Sequence, residues 1–208
     1  MKIKRFTHGI CLANTYILSS EETGCALMID SCGCNDKIIE YLKLNNLNLK
    51  GILLTHGHFD HIDGLLELKE RTGADIYIFA DEEKFLSDQS LNLSEDSDFI
   101  NHTVKKADHL FKDGDILDFG GLNIKVIHTP GHTSGSVCFL CGDCLFSGDT
   151  LFKGSIGRFD FLTGNGALEI KSIKEKLLIL DNSVKVYPGH GFSTTILKER
   201  EENPYLCG

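Results

Sequence analysis

The stretch LLTHGHFDHIDG, residues 53–64, sets three histidines and two aspartates directly behind an apolar run. The apolar residues of KGILLT (50–55) predict a short buried strand, and the polar groups begin where that strand should end. His56 and His58 are two apart, and in extended backbone that spacing aims both imidazoles to one side. A turn into the next helix lets Asp60 and His61 swing back toward the same region. Burying so many polar groups without partners costs several kcal/mol, on the order of 2–7 for each. A run of this density therefore points to a task.

Three isolated residues further on complete the pattern. His132 follows VIHTPG, Asp149 follows CLFSG and His190 follows VYPG, each at the end of an expected strand and each beside glycine. Alone, His132 or His190 reads as an ordinary surface histidine beside a turn. Together with the H-x-H-x-D-H run they make five histidines and two aspartates. Zinc takes imidazole nitrogen and carboxylate oxygen at four or five positions. Seven such ligands suffice for two divalent ions sharing one carboxylate, with a water between them.

Around these motifs the chain reads as two batches of strands, each followed by helices. TYILSS and CALMID predict an antiparallel pair around EETG, DKIIEYLKLNN a helix, DHIDGLLELKERTG a helix stopping at Gly73, DIYIFA a strand and DEEKFLSD a short helix. Residues 90–103 are pattern-poor and read as a surface loop that could flank a site. DILDFGG, LNIKVIHTP, GSVCFLC and CLFSGDTLF predict strands, the last two a hairpin closed by Gly142 and Asp143. A glycine-rich loop, a helix over ALEIKSIKEKLLIL, a strand over VKVYPG and a helix ending before Pro204 follow. The expected α/β architecture is a four-layer αββα sandwich, a single domain over residues 1–208.

Composition narrows the function classes. Hydrophobic content is 41% and charged content 25%, ordinary for a globular chain. The net charge of −9, with no basic cluster beyond KIKR at the start, disfavours nucleic acid as a partner. No apolar stretch approaches a membrane span, and the N-terminus lacks the apolar core of an export signal, so no membrane partner and a cytoplasmic location are expected. The eight cysteines then read as reduced thiols. CGDC (141–144) could form half of a sulfur site, but lacks a well-spaced second pair, and small buried or rim thiols are the simpler reading. Cys32 and Cys34 could lie close to the pocket.

H-x-H-x-D-H, TPGHTSGS, LFSGDTLF and YPGHG, in this order and spacing, resemble the metallo-β-lactamase fold superfamily, and within it glyoxalase II (hydroxyacylglutathione hydrolase) and its short bacterial relatives. The resemblance runs from NTYIL to NPYL. It implies metals at one edge of two sheets: His56, His58 and His132 on one ion, Asp60, His61 and His190 on the other, Asp149 bridging. It implies zinc as the expected metal, with iron or manganese as alternatives, and hydrolysis of a small thioester by a bridging hydroxide held by groups that include Asp60 and Asp149. The β-lactamases of the superfamily usually lack a histidine at the place of His61 and often carry cysteine at that of Asp149, which points away from antibiotic hydrolysis.

Arg158 lies where glyoxalase II carries a basic substrate-binding residue, so a carboxylate handle on the substrate is expected; a pair with Asp160 is the competing reading. Asp160 stands where glyoxalase II has a substrate-binding tyrosine, and the chain ends at 208, before the helical C-terminal region of the longer enzymes. GRFD and NPYL match the short relatives instead. The alternative is an oxidoreductase resembling the persulfide dioxygenases, whose single iron would sit on His56, His132 and Asp149.

Overall fold

Runs such as ANTYILS, CALMI and VCFLC are buried almost throughout, so both faces of these strands must be covered. A computed structural model, which describes residues 1–95 and 104–207, shows how. The first sheet contains β1 (Lys2–His8), β2 (Ala13–Ser19) and β3 (Cys25–Ile29). The two-residue β4 (Ser31–Cys32) follows, then β5 (Asn48–Leu53), β6 (Asp75–Phe79) and β7 (His109–Phe111). Its spatial order is β1-β2-β3-β5-β6-β7, antiparallel among the first three and parallel from β3 onward.

The second sheet holds β8 (Ile116–Asp118), β9 (Asn123–His128), β10 (Val137–Cys141) and β11 (Cys144–Gly148). A small separate hairpin of β12 (Leu151–Phe152) and β13 (Ser155–Ile156) precedes its last strands, β14 (Lys185–Pro188) and β15 (Thr194–Thr195). Its order is β15-β14-β11-β10-β9-β8. Cys141 faces Cys144 across the β10–β11 hairpin, with Gly142 at φ +58°, the turn that Gly142 and Asp143 predict.

Three apolar clusters define four layers. Tyr16, Leu27, Leu53, Phe111, Phe139 and Phe146 belong to the layer between the sheets. Ile38, Leu42, Leu65 and Leu68 pack α1 (Asn35–Leu44) and α3 (Leu65–Thr72) on the outside of the first sheet. On the second sheet, Ile173, Leu177 and Ile196 seat the helical layer formed by α5 (Gly166–Ser172), its π-helical continuation Ile173–Leu177, and α6 (Ile196–Glu202). This is the αββα sandwich. The cysteines at 141 and 144 are core thiols of the inter-sheet layer.

Several elements differ from the sequence reading. The helix expected from Asp60 to Gly73 is broken into α2 (Phe59–Ile62) and α3, because Gly64 takes a left-handed φ of +69°. A Cβ there would lie 2.5 Å from Asn35 Nδ2, so the break is built into the packing. Edge strand β1 is a further element, its alternation masked by exposed charge. Residues Ala80–Leu86 form a 3₁₀ segment, and α4 (Gln89–Asn92) occupies part of the expected 90–103 loop, of which 96–103 lie outside the described residues.

Candidate metal centre

All seven predicted groups follow strand ends at one edge of the sandwich. His56 comes after β5, and Gly57 separates it from His58 where a Cβ would lie 2.3 Å from Phe85 Cβ of the 3₁₀ segment. His58 caps α2, whose single turn carries Asp60 and His61 back toward the pair. His132, Asp149 and His190 follow β9, β11 and β14. Since β11 and β14 are parallel neighbours, Asp149 and His190 emerge side by side, tied by a Gly189 N–H to Gly148 O bond of 2.7 Å.

The ligand atoms form three overlapping groups, His56–His58–His132, His56–His61–Asp149 and Asp60–His61–His190, each within 4.8 Å. His58 Nδ1 and His132 Nε2 are 2.9 Å apart, and His61 Nε2 and His190 Nε2 3.2 Å. Asp149 Oδ1 lies 3.4 Å from His61 Nε2, while its Oδ2 lies 3.4 Å from His190 Nε2 and 3.8 Å from His132 Nε2. Asp60 Oδ2 is 3.3 Å from His190 Nε2. Among the described residues, Asp149 is thus the one carboxylate in reach of both sides.

The outward hydrogen bonds decide what points inward. His132 Nδ1 meets the carbonyl of Arg158 at 2.7 Å, and His190 Nδ1 that of Cys11 at 3.0 Å. A carbonyl only accepts, so each Nδ1 carries the proton and each Nε2 offers a lone pair. His61 Nδ1 donates to Asp30 Oδ2 at 2.9 Å. Thr55 gives its own hydroxyl proton to Asp30 at 2.7 Å and is left to accept from His56 Nδ1 at 3.1 Å. Four Nε2 atoms are therefore fixed as inward acceptors. His56 Nε2 and Asp149 Oδ1 are buried with no hydrogen-bond partner. With these imidazoles neutral, the His61 and His190 lone pairs would face one another beside orphaned buried acceptors, so the site calls for positive charge, as metal cations or as protons.

The ionisation of the metal-free site agrees. Burial, then neighbouring imidazoles, pushes His56 far below its usual range and His58 down to about 3. For His61 and His190 burial acts in the same sense, but Asp149 and Asp60 outweigh it, holding His61 well up and His190 at about 10. Burial would raise Asp149, yet His61 and His190 hold it well below the carboxylate range. Without metal, protons on this pair of imidazoles supply the positive charge the carboxylates demand. A cation must displace them, so binding releases protons.

Two supporting groups were not legible in the sequence. Asp30, at the end of the CALMID strand with φ +56°, accepts from Thr55 N–H, Thr55 O–H and His61. Glu82, fully buried, accepts from Gly57 N–H at 3.0 Å and Gly135 N–H at 2.9 Å, joining the two histidine loops. Only their being acidic residues near apolar runs could have flagged them. Arg158 pairs with Asp160 through bonds of 3.0 and 2.9 Å and stacks on Phe161 at 4.4 Å, with its side chain exposed. The Phe161 ring lies 5.2 Å from that of His58, so this rim borders the centre.

The chain belongs to the metallo-beta-lactamase superfamily, whose profile matches residues 8–190. It is a metallo-hydrolase superfamily member with a His-rich candidate site for divalent metal. It is 40% identical over 210 residues to the probable metallo-hydrolase YqgX of Bacillus subtilis, covering 100% of this chain and 99% of that one. Hydroxyacylglutathione hydrolase GloC of Haemophilus influenzae is 37% identical over 184 residues, 87% of each chain. The crystal structure of BLEG-1 B3 metallo-beta-lactamase superposes with a TM-score of 0.94 at 37% identity, covering 100% of both chains.

Proposed function

We propose that this chain is a two-metal hydrolase of small thioesters, similar in activity to hydroxyacylglutathione hydrolase. The single observation that carries the reading is the inward set of imidazole acceptors arranged around Asp149, which faces both groups. His56, His58 and His132 would hold one ion and Asp60, His61 and His190 the other, with Asp149 shared. When bound, such a pair lowers the pKa of a shared water and polarises a carbonyl. The protein's own part is positioning. Asp30, Thr55 and the carbonyls of Cys11 and Arg158 fix the imidazole tautomers, and Glu82 holds the two loops in register.

A thioester suits a site to which no separate proton donor is assigned among the described residues, because a thiolate leaves without strong protonation. The likeness to GloC supports that substrate class. The donor set of nitrogen and oxygen supports zinc, with iron or manganese as the competitors. Arg158 serves as a carboxylate anchor by exchanging Asp160 for the substrate. All eight cysteines are free thiols, which supports a cytoplasmic setting.

The test is elemental analysis of protein purified without added metal, followed by assay of a lactoylglutathione-type thioester, simple acyl thioesters and a β-lactam. The β-lactam belongs there because the likeness to BLEG-1 removes any ground in the fold for excluding it. About two ions per chain and thioester turnover abolished in His58→Ala are expected. One iron with oxygen consumption would establish the dioxygenase alternative. Turnover retained in His58→Ala would refute the metal assignment.

A further inference from the structure

The thiols of Cys32 and Cys34 take no part in the centre described above. Their sulfurs lie 3.6 Å apart, both residues buried, where β4 ends at Cys32 and passes into the next loop. Gly33 between them adopts φ +77°, a turn that L side chains rarely take, and it folds the short Cys-Gly-Cys segment on itself. Thr15 Oγ1 accepts from Cys32 N–H at 3.1 Å, leaving its hydroxyl proton free for the Cys32 sulfur. The bond from Cys34, aided by Thr15, brings the Cys32 thiol down to about 6 against burial. Cys34 is pushed up by that same bond, to Cys32, and by burial. Burial sends Cys138 and Cys144 to about 11 instead. One small cavity, lined by Cys32, Ile10, Phe59 and Asp60, and another along Gly33 and Cys34, flank the segment.

We propose that Cys32 and Cys34 form a redox-active dithiol that exchanges with low-molecular-weight disulfides and closes reversibly to an intramolecular disulfide. The Cys32 thiolate attacks one sulfur of the small disulfide RSSR. That S–S bond breaks, RS⁻ departs and takes a proton, and Cys32 carries a mixed disulfide. The Cys34 sulfur, losing its proton, then attacks the Cys32 sulfur and expels the second RS⁻, which takes that proton. Two protein thiols are oxidised, and one RSSR is reduced to two RSH. A bridge across so short a segment is strained, hence readily reversed by thiols.

The segment is wired to the candidate metal centre. Ser31 and Cys32 bridge in parallel to Ile62 and Asp63, directly after His61. Asp30, which orients His61, is two residues before Cys32. Asp60 lines the same cavity as Cys32. Drawing the sulfurs from 3.6 Å to a bond of about 2 Å moves this backbone. The oxidised form should therefore lose turnover several-fold.

The test exposes metal-loaded protein to oxidised glutathione at neutral pH and locates the products by non-reducing mass spectrometry with fragmentation. Wild type should lose the mass of two hydrogens at the 32–34 segment. Cys34→Ser should trap one glutathione on Cys32, and Cys32→Ser should leave Cys34 unmodified. Absence of the Cys32 adduct in Cys34→Ser, while exposed Cys11 and Cys207 gain theirs, overturns the proposal. Should that variant not fold, alkylation of wild type decides: Cys32 reacting before Cys34 and Cys138 supports it, and equal rates overturn it. Turnover and metal content are read on the same oxidised sample before and after dithiothreitol. The mass readout holds whatever substrate the centre acts on, so failure of the thioester reading is seen separately.

Discussion

Replacing Asp30 by asparagine isolates what the hydrogen-bonded surround contributes to metal binding. The carboxylate is buried and takes three donors, Thr55 N–H and Thr55 O–H at 2.7 Å each and His61 Nδ1–H at 2.9 Å. An asparagine of the same shape keeps one acceptor oxygen. With that oxygen on Thr55 N–H, the NH₂ group faces His61 Nδ1 and must donate to it. The imidazole proton is then forced to Nε2, the atom 3.2 Å from His190 Nε2 and 3.4 Å from Asp149 Oδ1. That tautomer cannot ligate without moving its proton. Loss of such an orienting partner costs about 10–100-fold in metal affinity, roughly 1.4–2.8 kcal/mol. The same NH₂ group faces Thr55 Oγ1, whose proton then turns to His56 Nδ1 and pushes the His56 proton to Nε2 as well, so both sites should weaken. Titration against a chromophoric chelator resolves the two affinities. An Asp30→Asn protein that holds both ions as tightly as wild type would refute the tautomer argument.

Gly189→Ala should remove metal while sparing the fold, since its Cβ would stand 2.2 Å from Asp149 Oδ1 and 2.7 Å from His61 Cε1; full metal occupancy by elemental analysis would contradict this. Glu82→Ala leaves the N–H groups of Gly57 and Gly135 buried without acceptors, at about 1–3 kcal/mol each, so its urea midpoint should fall well below wild type. Glu169 is fully buried, and burial followed by Asp149 raises its carboxyl from 4.5 to about 8. In metal-free protein the folded state thus keeps a proton between about pH 4.5 and 8 that the unfolded chain has lost, and its contribution to stability declines as pH rises through that window. The Tm of Glu169→Gln relative to wild type should climb from pH 5 to pH 8; a constant difference would count against it.

The layers and the ligands were legible in the sequence for different reasons. Strands β2, β3, β10 and β11, and the second half of β5, are buried on both faces, and such largely apolar runs stand out. The ligands stand out because the H-x-H-x-D-H run packs polar groups directly behind a buried strand and draws His132, Asp149 and His190, each ordinary on its own, into one pattern. Edge strand β1 did not, since its exposed lysines and arginine interrupt the alternation. Nor did the break at Gly64, because the apolar spacing runs on from Ile62 to Leu65 and Leu68 across it. Asp30 and Glu82 were hidden for another reason. Each acts on residues about 25 positions away, Thr55 and Gly57 respectively, and only the fold makes them neighbours.

The convergence itself follows from a repeated topology. In the first sheet the antiparallel pair β2–β3 leads through α1 to β5, which lies parallel to β3. In the second, the antiparallel pair β10–β11 leads through α5 and its π continuation to β14, parallel to β11. A parallel partner brings both strand ends to one edge. The aspartate after the inner strand is Asp30 in one half and Asp149 in the other, and histidine follows the parallel strand as His56 and His190. The halves meet closely: a Cβ on Gly148 would stand 2.5 Å from Thr55 Oγ1. His61 lies between the two equivalent aspartates, Nδ1 on Asp30 and Nε2 toward Asp149. The same chemical group therefore serves as an outer support in one half and as an inner ligand in the other. What separates these roles is the side of the imidazole each aspartate reaches.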